Sequence, residues 1–131
     1  LINFSRSLIY TTALPPHAVA TILASYQFLI KNHELVNQLK KQIQKFKEEV
    51  DKKQLSAYFL ASQTPIQSLI IKDNVKAKEL ENTLQANGYD IRAILSPTVP
   101  EGTERLRICL HAFNSEESIE ELMCLLHNQL T

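Results

Sequence analysis

Apolar residues recur at Ile22, Tyr26, Leu29, Val36, Leu39, Ile43, Phe46 and Val50, mostly three and four apart, with lysines and glutamates between them. That spacing winds one apolar stripe along a helix. The helix is expected to begin near His17, because Pro15 and Pro16 suit a first turn, where a missing amide hydrogen costs little. Its length to Lys52 exceeds the usual three or four turns, so either it breaks near Asn32 or it bridges two layers; the bridge is the favoured expectation. Ahead of it, Leu8 to Leu14 reads as a short extended segment closed by the proline pair.

Beyond the helix the pattern shortens. Ile66 to Ile71 is an apolar run bounded by Pro65 and by Lys72-Asp73-Asn74, which predicts a strand and then a helix cap. Ala77, Leu80 and Leu84 give the next helix its buried face, and Gly88 sits where a left-handed C-terminal cap is wanted. Ile91 to Leu95 resumes a strand that stops at Ser96-Pro97. Arg105 to His111 alternates, with Leu106, Ile108 and Leu110 on one face and Arg105, Arg107, Cys109 and His111 on the other. Asn114 with Glu117 makes a capping pair, and Ile119, Leu122, Met123 and Leu126 form the stripe of a final helix. The order from Ile66 is therefore βαββα. These elements predict an α+β fold in which a long N-terminal helix precedes a three-stranded, mainly antiparallel sheet with helices on one face. The expected division is an extended segment over 1–16, the long helix over 17–53 and the α+β domain over 54–131.

Composition narrows the function classes. A 131-residue chain that is 44% hydrophobic can build one real core. Fourteen basic residues balance fourteen acidic ones, so no net field holds a polyanion, and nucleic acid is not an expected partner. Cys109 and Cys124 make no CxxC pair; zinc and disulfide frameworks are not expected, and a reducing cytoplasm is the default compartment. The mostly apolar stretch Ala18 to Ile30 is interrupted by Thr21, Ser25 and Gln27 and falls short of the roughly 20 residues that span a bilayer, so no membrane partner is expected. Only two glycines occur, Gly88 and Gly102, which leaves no Gly-rich loop to gather backbone amides around a phosphate. The opening Leu-Ile-Asn-Phe carries neither an initiator methionine nor signal-peptide features and reads as a cut inside a longer protein.

Four groups of residues bear candidate chemistry. Arg105 and Arg107, two apart on a strand, point the same way and together present guanidinium forks to a carboxylate. The plainer alternative, favoured by spacing alone, is surface pairing with Glu101, Glu104 or a helix carboxylate. Cys109 and His111 share that face and are the minimum for nucleophilic catalysis, yet residues two apart on a strand need not hydrogen-bond. His17, His33 and His127 are scattered with no thiol or carboxylate at metal-ligand spacing, and no metal site is expected. Tyr10, Thr11 and Thr12 offer three hydroxyls in a row that suit a phosphate held by another surface, though taken alone such a run is more often simply a β-rich segment.

Three stretches shift those readings together. They are Leu8-Ile9-Tyr10-Thr11-Thr12-Ala13-Leu14-Pro15-Pro16, then Thr64-Pro65-Ile66-Gln67-Ser68-Leu69-Ile70-Ile71, then Ser96-Pro97-Thr98-Val99-Pro100-Glu101-Gly102-Thr103-Glu104-Arg105-Leu106-Arg107. In order and separation they resemble the C-terminal part of the α-oxoamine synthases, fold-type-I pyridoxal-phosphate enzymes, over essentially the whole chain. The resemblance implies a homodimer with active sites at the subunit interface, which condenses an amino acid with an acyl-CoA or acyl-carrier-protein thioester and releases carbon dioxide. The biotin-pathway branch, using L-alanine and a pimeloyl thioester, matches best; glycine C-acetyltransferase is the alternative within the family, and a non-catalytic βαββα ligand-binding module the alternative outside it. Arg107 matches the family arginine that holds the amino-acid carboxylate, with Arg105 adjacent. Thr12, then Thr11 and Tyr10, match the interface segment that reaches the cofactor phosphate of the neighbouring subunit. The family's Schiff-base lysine, pyridinium aspartate and ring-stacking histidine lie upstream of the matched stretch, which implies no catalytic residue in this chain and no cofactor binding by it alone. Leu95 stands where several members carry a second carboxylate-binding arginine.

Overall fold

The computed structural model describes residues 14–130. They fall into two compact units divided between Glu34 and Leu35, taken here in turn.

The first unit holds α1, Pro16–Lys31, which starts with Pro15 as N-cap and a proline in its first turn, as the proline pair predicts. None of its residues is buried, so Ile22, Tyr26 and Leu29 do not form a core face within the described residues. The helix stops at Asn32, where φ −119° and ψ 53° leave helical space. Asn32 donates its amide to the carbonyls of Phe28 and Leu29, at 3.0 and 3.2 Å, and its side-chain Nδ2 to Phe28 at 2.8 Å. The continuous helix expected from His17 to Lys52 is therefore corrected to two helices. An asparagine side chain competes for the backbone carbonyls that the next turn needs, and a one-residue interruption leaves the apolar period intact on both sides.

α2, His33–Lys52, buries Gln42, Phe46, Glu49 and Val50. The chain then passes through the fully buried Leu55 and a single 3-10 turn, Ser56–Tyr58, to Phe59, whose ring meets Phe46 edge-on at 5.5 Å and 88°. Three strands follow: β1, Ile66–Ile70; β2, Arg92–Ile94; and β3, Arg105–Cys109. They form one antiparallel sheet in the order β1-β3-β2. Between β1 and β2 lies α3, Asn74–Ala86, capped by Asp73, whose side chain accepts from the Lys76 amide at 2.8 Å. Gly88 ends it at φ +88°, with its own amide donating to Gln85 and that of Tyr89 to Leu84, both at 3.0 Å. This is the paired closure expected of a left-handed C-terminal cap. The last helix, α4, is Glu116–Leu130. Its cap differs from the expected Asn114 and Glu117 pair: Ser115 Oγ accepts from the Ser118 amide at 3.1 Å, while Asn114 Oδ1 accepts from the His111 amide at 2.7 Å. Both residues are good caps, and the turn after β3 claims the asparagine first.

Alternation sorts the sheet into two faces. Leu69, Leu106 and Ile108 join Phe46 and Val50 of α2, Leu80 and Leu84 of α3, and Ile119, Leu122, Met123 and Leu126 of α4 in one core. Burying a side chain of that size stabilises by about 1.5–3 kcal/mol each, which explains why the even positions of β3 are fixed inward. The α+β arrangement with helices on one face is as the patterning predicts.

Candidate functional site

The opposite face of the sheet carries no helix-facing core residue. The pleat puts Ile66, Ser68 and Ile70 of β1, Arg105, Arg107 and Cys109 of β3, and Arg92 and Ile94 of β2 there. Across the register Arg107 stands opposite Ser68 on one side and Arg92 on the other, and Arg105 opposite Ile70 and Ile94.

Like charges directly opposite repel, and the structure separates their roles. Arg92 pairs with Asp90 at 2.8 Å and lies 3.9 Å from the buried Glu81 of α3, which also accepts from Lys78 at 2.6 Å. Arg107 is exposed and has no ion-pair partner among the described residues. Arg105 is half-buried and donates Nε to the Thr103 carbonyl at 2.9 Å. The expected alternative, pairing of these arginines with Glu101 or Glu104, is not what forms: Glu104 is turned inward and 2% exposed, because it shares the face of Leu106. The two arginines thus point to one side of the sheet, with Arg107 open and Arg105 anchored to the preceding loop.

Cys109 and His111 do not come together as a nucleophile and base. His111 lies past the end of β3, and its ring stacks on Phe113 at 4.8 Å and 5°. Both cysteines are free and exposed. Among the described residues no three histidine, cysteine, aspartate or glutamate side chains gather as a metal set, and no helix is long and apolar enough to cross a membrane. Tyr10, Thr11 and Thr12 lie outside the described residues. Leu95 is half-buried in the loop after β2, its carbonyl accepting from Val99 at 3.2 Å, ahead of a cis Ser96-Pro97 bond.

Two charged residues of this face were not singled out by the sequence. Arg92 looks like one more exposed arginine until the register sets it beside Arg107. Lys72 adopts φ +63°, a conformation that a lysine gives no reason to expect.

A Schiff-base lysine needs an amine that loses its proton readily. Lys45, by contrast, is held protonated well above the ordinary lysine range by its hydrogen bond to Glu120 and then by Glu49.

Comparison with known proteins follows the same lines. The family model described as aminotransferase class I and II matches residues 1–125. The chain is similar to the 8-amino-7-oxononanoate synthase of Saccharophagus degradans, 38% identical over 94% of this chain and 30% of that protein. It is also similar to that of Serratia proteamaculans, 38% identical over 98% of this chain and 33% of that protein. A solved 8-amino-7-oxononanoate synthase from Francisella tularensis superposes with a TM-score of 0.75 at 27% identity, covering 98% of this chain and 37% of that one. A serine palmitoyltransferase of Sphingomonas wittichii shares the fold, with a TM-score of 0.73 at 23% identity over 98% of this chain and 32% of that one. The chain thus spans about a third of the length of the curated relatives it matches.

Proposed function

The chain belongs to the aminotransferase class I and II family, and on that premise we propose that it is the C-terminal part of a pyridoxal-phosphate-dependent 8-amino-7-oxononanoate synthase. The parent condenses L-alanine with a pimeloyl thioester of CoA or acyl carrier protein and releases carbon dioxide, as a cytoplasmic homodimer. Within it this chain contributes substrate binding rather than the reacting groups.

The observation that carries the reading is Arg107. An exposed guanidinium with no partner among the described residues, projecting from a strand whose other face is locked into the core, is a fork on a fixed base. A planar fork pairs with a carboxylate through two parallel N–H···O bonds, which fixes both position and rotation of the amino acid and so the direction of its Cα bonds. Arg105, tied to Thr103, is the second and weaker candidate. Thr12, Thr11 and Tyr10 reach the cofactor phosphate of the neighbouring subunit. With Leu95 in place of a second arginine, Arg107 bears more of the carboxylate's charge.

The test uses the reading frame that encodes this chain, expressed whole, with L-alanine and pimeloyl-CoA as substrates. Carbon dioxide and 8-amino-7-oxononanoate are the expected products. Arg107→Lys, which keeps charge but loses the fork, is expected to raise KM for L-alanine far more than KM for the thioester. A variant with unchanged alanine KM removes Arg107 from the site. The 131-residue chain alone, mixed with pyridoxal phosphate, is expected to give no borohydride-trappable lysine adduct; a stoichiometric one overturns the reading of this chain as lacking the cofactor lysine.

A further inference from the structure

At one end of the open face, the sheet and the 3-10 turn enclose a hollow of about 470 Å³, within the ~300–1,000 Å³ range of small-molecule pockets. Its apolar wall is Phe59, Leu60, Ile70 and Ile71, and its charged residues are Lys72 and Arg105. Among the described residues no carboxylate lines it. In that it differs from four other hollows on the described surface, each of which carries at least one: Asp51, Glu79, the Glu117, Glu120 and Glu121 group, and Asp90.

The backbone under both cations converges on one residue. The amides of Ile71 and Lys72 donate to the carbonyl of Glu104, at 2.8 and 3.2 Å, and Glu104 immediately precedes Arg105. That pair of bonds holds Lys72 at φ +63°, a left-handed conformation that a long side chain adopts only when its surroundings impose it. Arg105 is held from the other side, since its Nε donates to Thr103 and the Thr103 hydroxyl donates to Pro100, at 2.9 and 2.6 Å. Ile70 faces Arg105 across the β1 and β3 register, so the apolar wall begins where the guanidinium ends. Neither the Lys72 ammonium nor the outer nitrogens of Arg105 have an ion-pair or hydrogen-bond partner among the described residues.

We infer that this hollow binds an aliphatic carboxylate, the head group between Lys72 and Arg105 and the hydrocarbon along Ile70, Ile71 and Leu60. Two cations without an ion-pair partner among the described residues, set over an apolar wall, bind an anion with a hydrocarbon tail better than either a bare anion or a neutral chain, because each part of the ligand leaves water for a matching surface. The site shares Arg105, the weaker candidate for the amino-acid carboxylate, but its head-group partners are Lys72 and Arg105 rather than Arg107, so it does not rest on the role proposed for Arg107.

Titration calorimetry of the 131-residue chain with hexanoate tests this, with acetate and hexylamine as matched probes. Saturable one-to-one binding of hexanoate is expected, with acetate weaker and hexylamine silent. Lys72→Gly and Arg105→Gln are each expected to weaken hexanoate about tenfold, the size of one charge-assisted hydrogen bond. Glycine suits the Lys72 backbone, so an unchanged or raised Tm for that variant separates lost binding from lost folding. Arg92→Gln, a charge removed elsewhere on the same face, is expected to leave hexanoate affinity unchanged. Absence of saturable binding, acetate binding as tightly as hexanoate, or equal weakening by Arg92→Gln each overturns the inference.

Discussion

Glu49 is a buried carboxylate that two lysines keep charged. Burial pushes its carboxyl up, but hydrogen bonds from Lys45 and Lys52, at 3.1 and 3.2 Å, outweigh that and hold it below the ordinary carboxylate range. A group whose folded value lies below its unfolded one adds stability above the ordinary value and loses it as pH falls through the folded value. The urea midpoint is therefore expected to fall as pH drops below about 5, and Glu49→Gln to flatten part of that fall; an identical acid limb in the variant counts against the Glu49 assignment. Phe46, 1% exposed and edge-on to Phe59, is a cavity-forming position: Phe46→Ala is expected to cost about 3–5 kcal/mol in urea denaturation. Arg107→Gln, at an exposed and unpaired site, is expected to shift stability by no more than about 0.5 kcal/mol. The sequence made Phe46 and the inward residues of β3 legible through their period. It left Glu49 and Lys72 illegible, because partners that decide a charge or a strained φ come from turns and helices that spacing does not bring together.

At the scale of elements, the boundaries that sequence chemistry specified are the ones with a single available residue. Gly88 alone supplies the positive φ that closes α3, and Asp73 alone stands before it with a free carboxylate. Gly88→Ala is expected to cost about 1 kcal/mol or more in thermal unfolding, since the open space around its Cα relieves no backbone strain. Where two candidates compete the choice is tertiary: Asn114 serves the turn and Ser115 the helix. Ser115→Ala is accordingly expected to lose about 1 kcal/mol from α4. The length of the stripe allows a break near Asn32 but its pattern does not choose that break over a bridge, since neither glycine nor proline marks it and the apolar spacing continues beyond it.

Over the whole molecule, every core residue among those described lies between Phe46 and Leu126. A chain beginning at Leu35 is expected to unfold cooperatively, with a urea m-value in keeping with its size; a non-cooperative melt would show that residues before Leu35 complete the core. The fold class was legible because patterning fixes which face of each element is buried, but strand order was not, since period alone does not say which strand lies in the middle. That order has a kinetic consequence. β3 is the last strand made and the central one in space, so β1 and β2 find no strand partner until Arg105 to Cys109 emerges, and β1 has before then only its bridge to Phe59. Sheet formation thus requires closing loops of many residues at once, a high contact order that slows folding. A ribosome stalled before Arg105 would hold two strands with bare edges, the state from which nascent chains most readily aggregate.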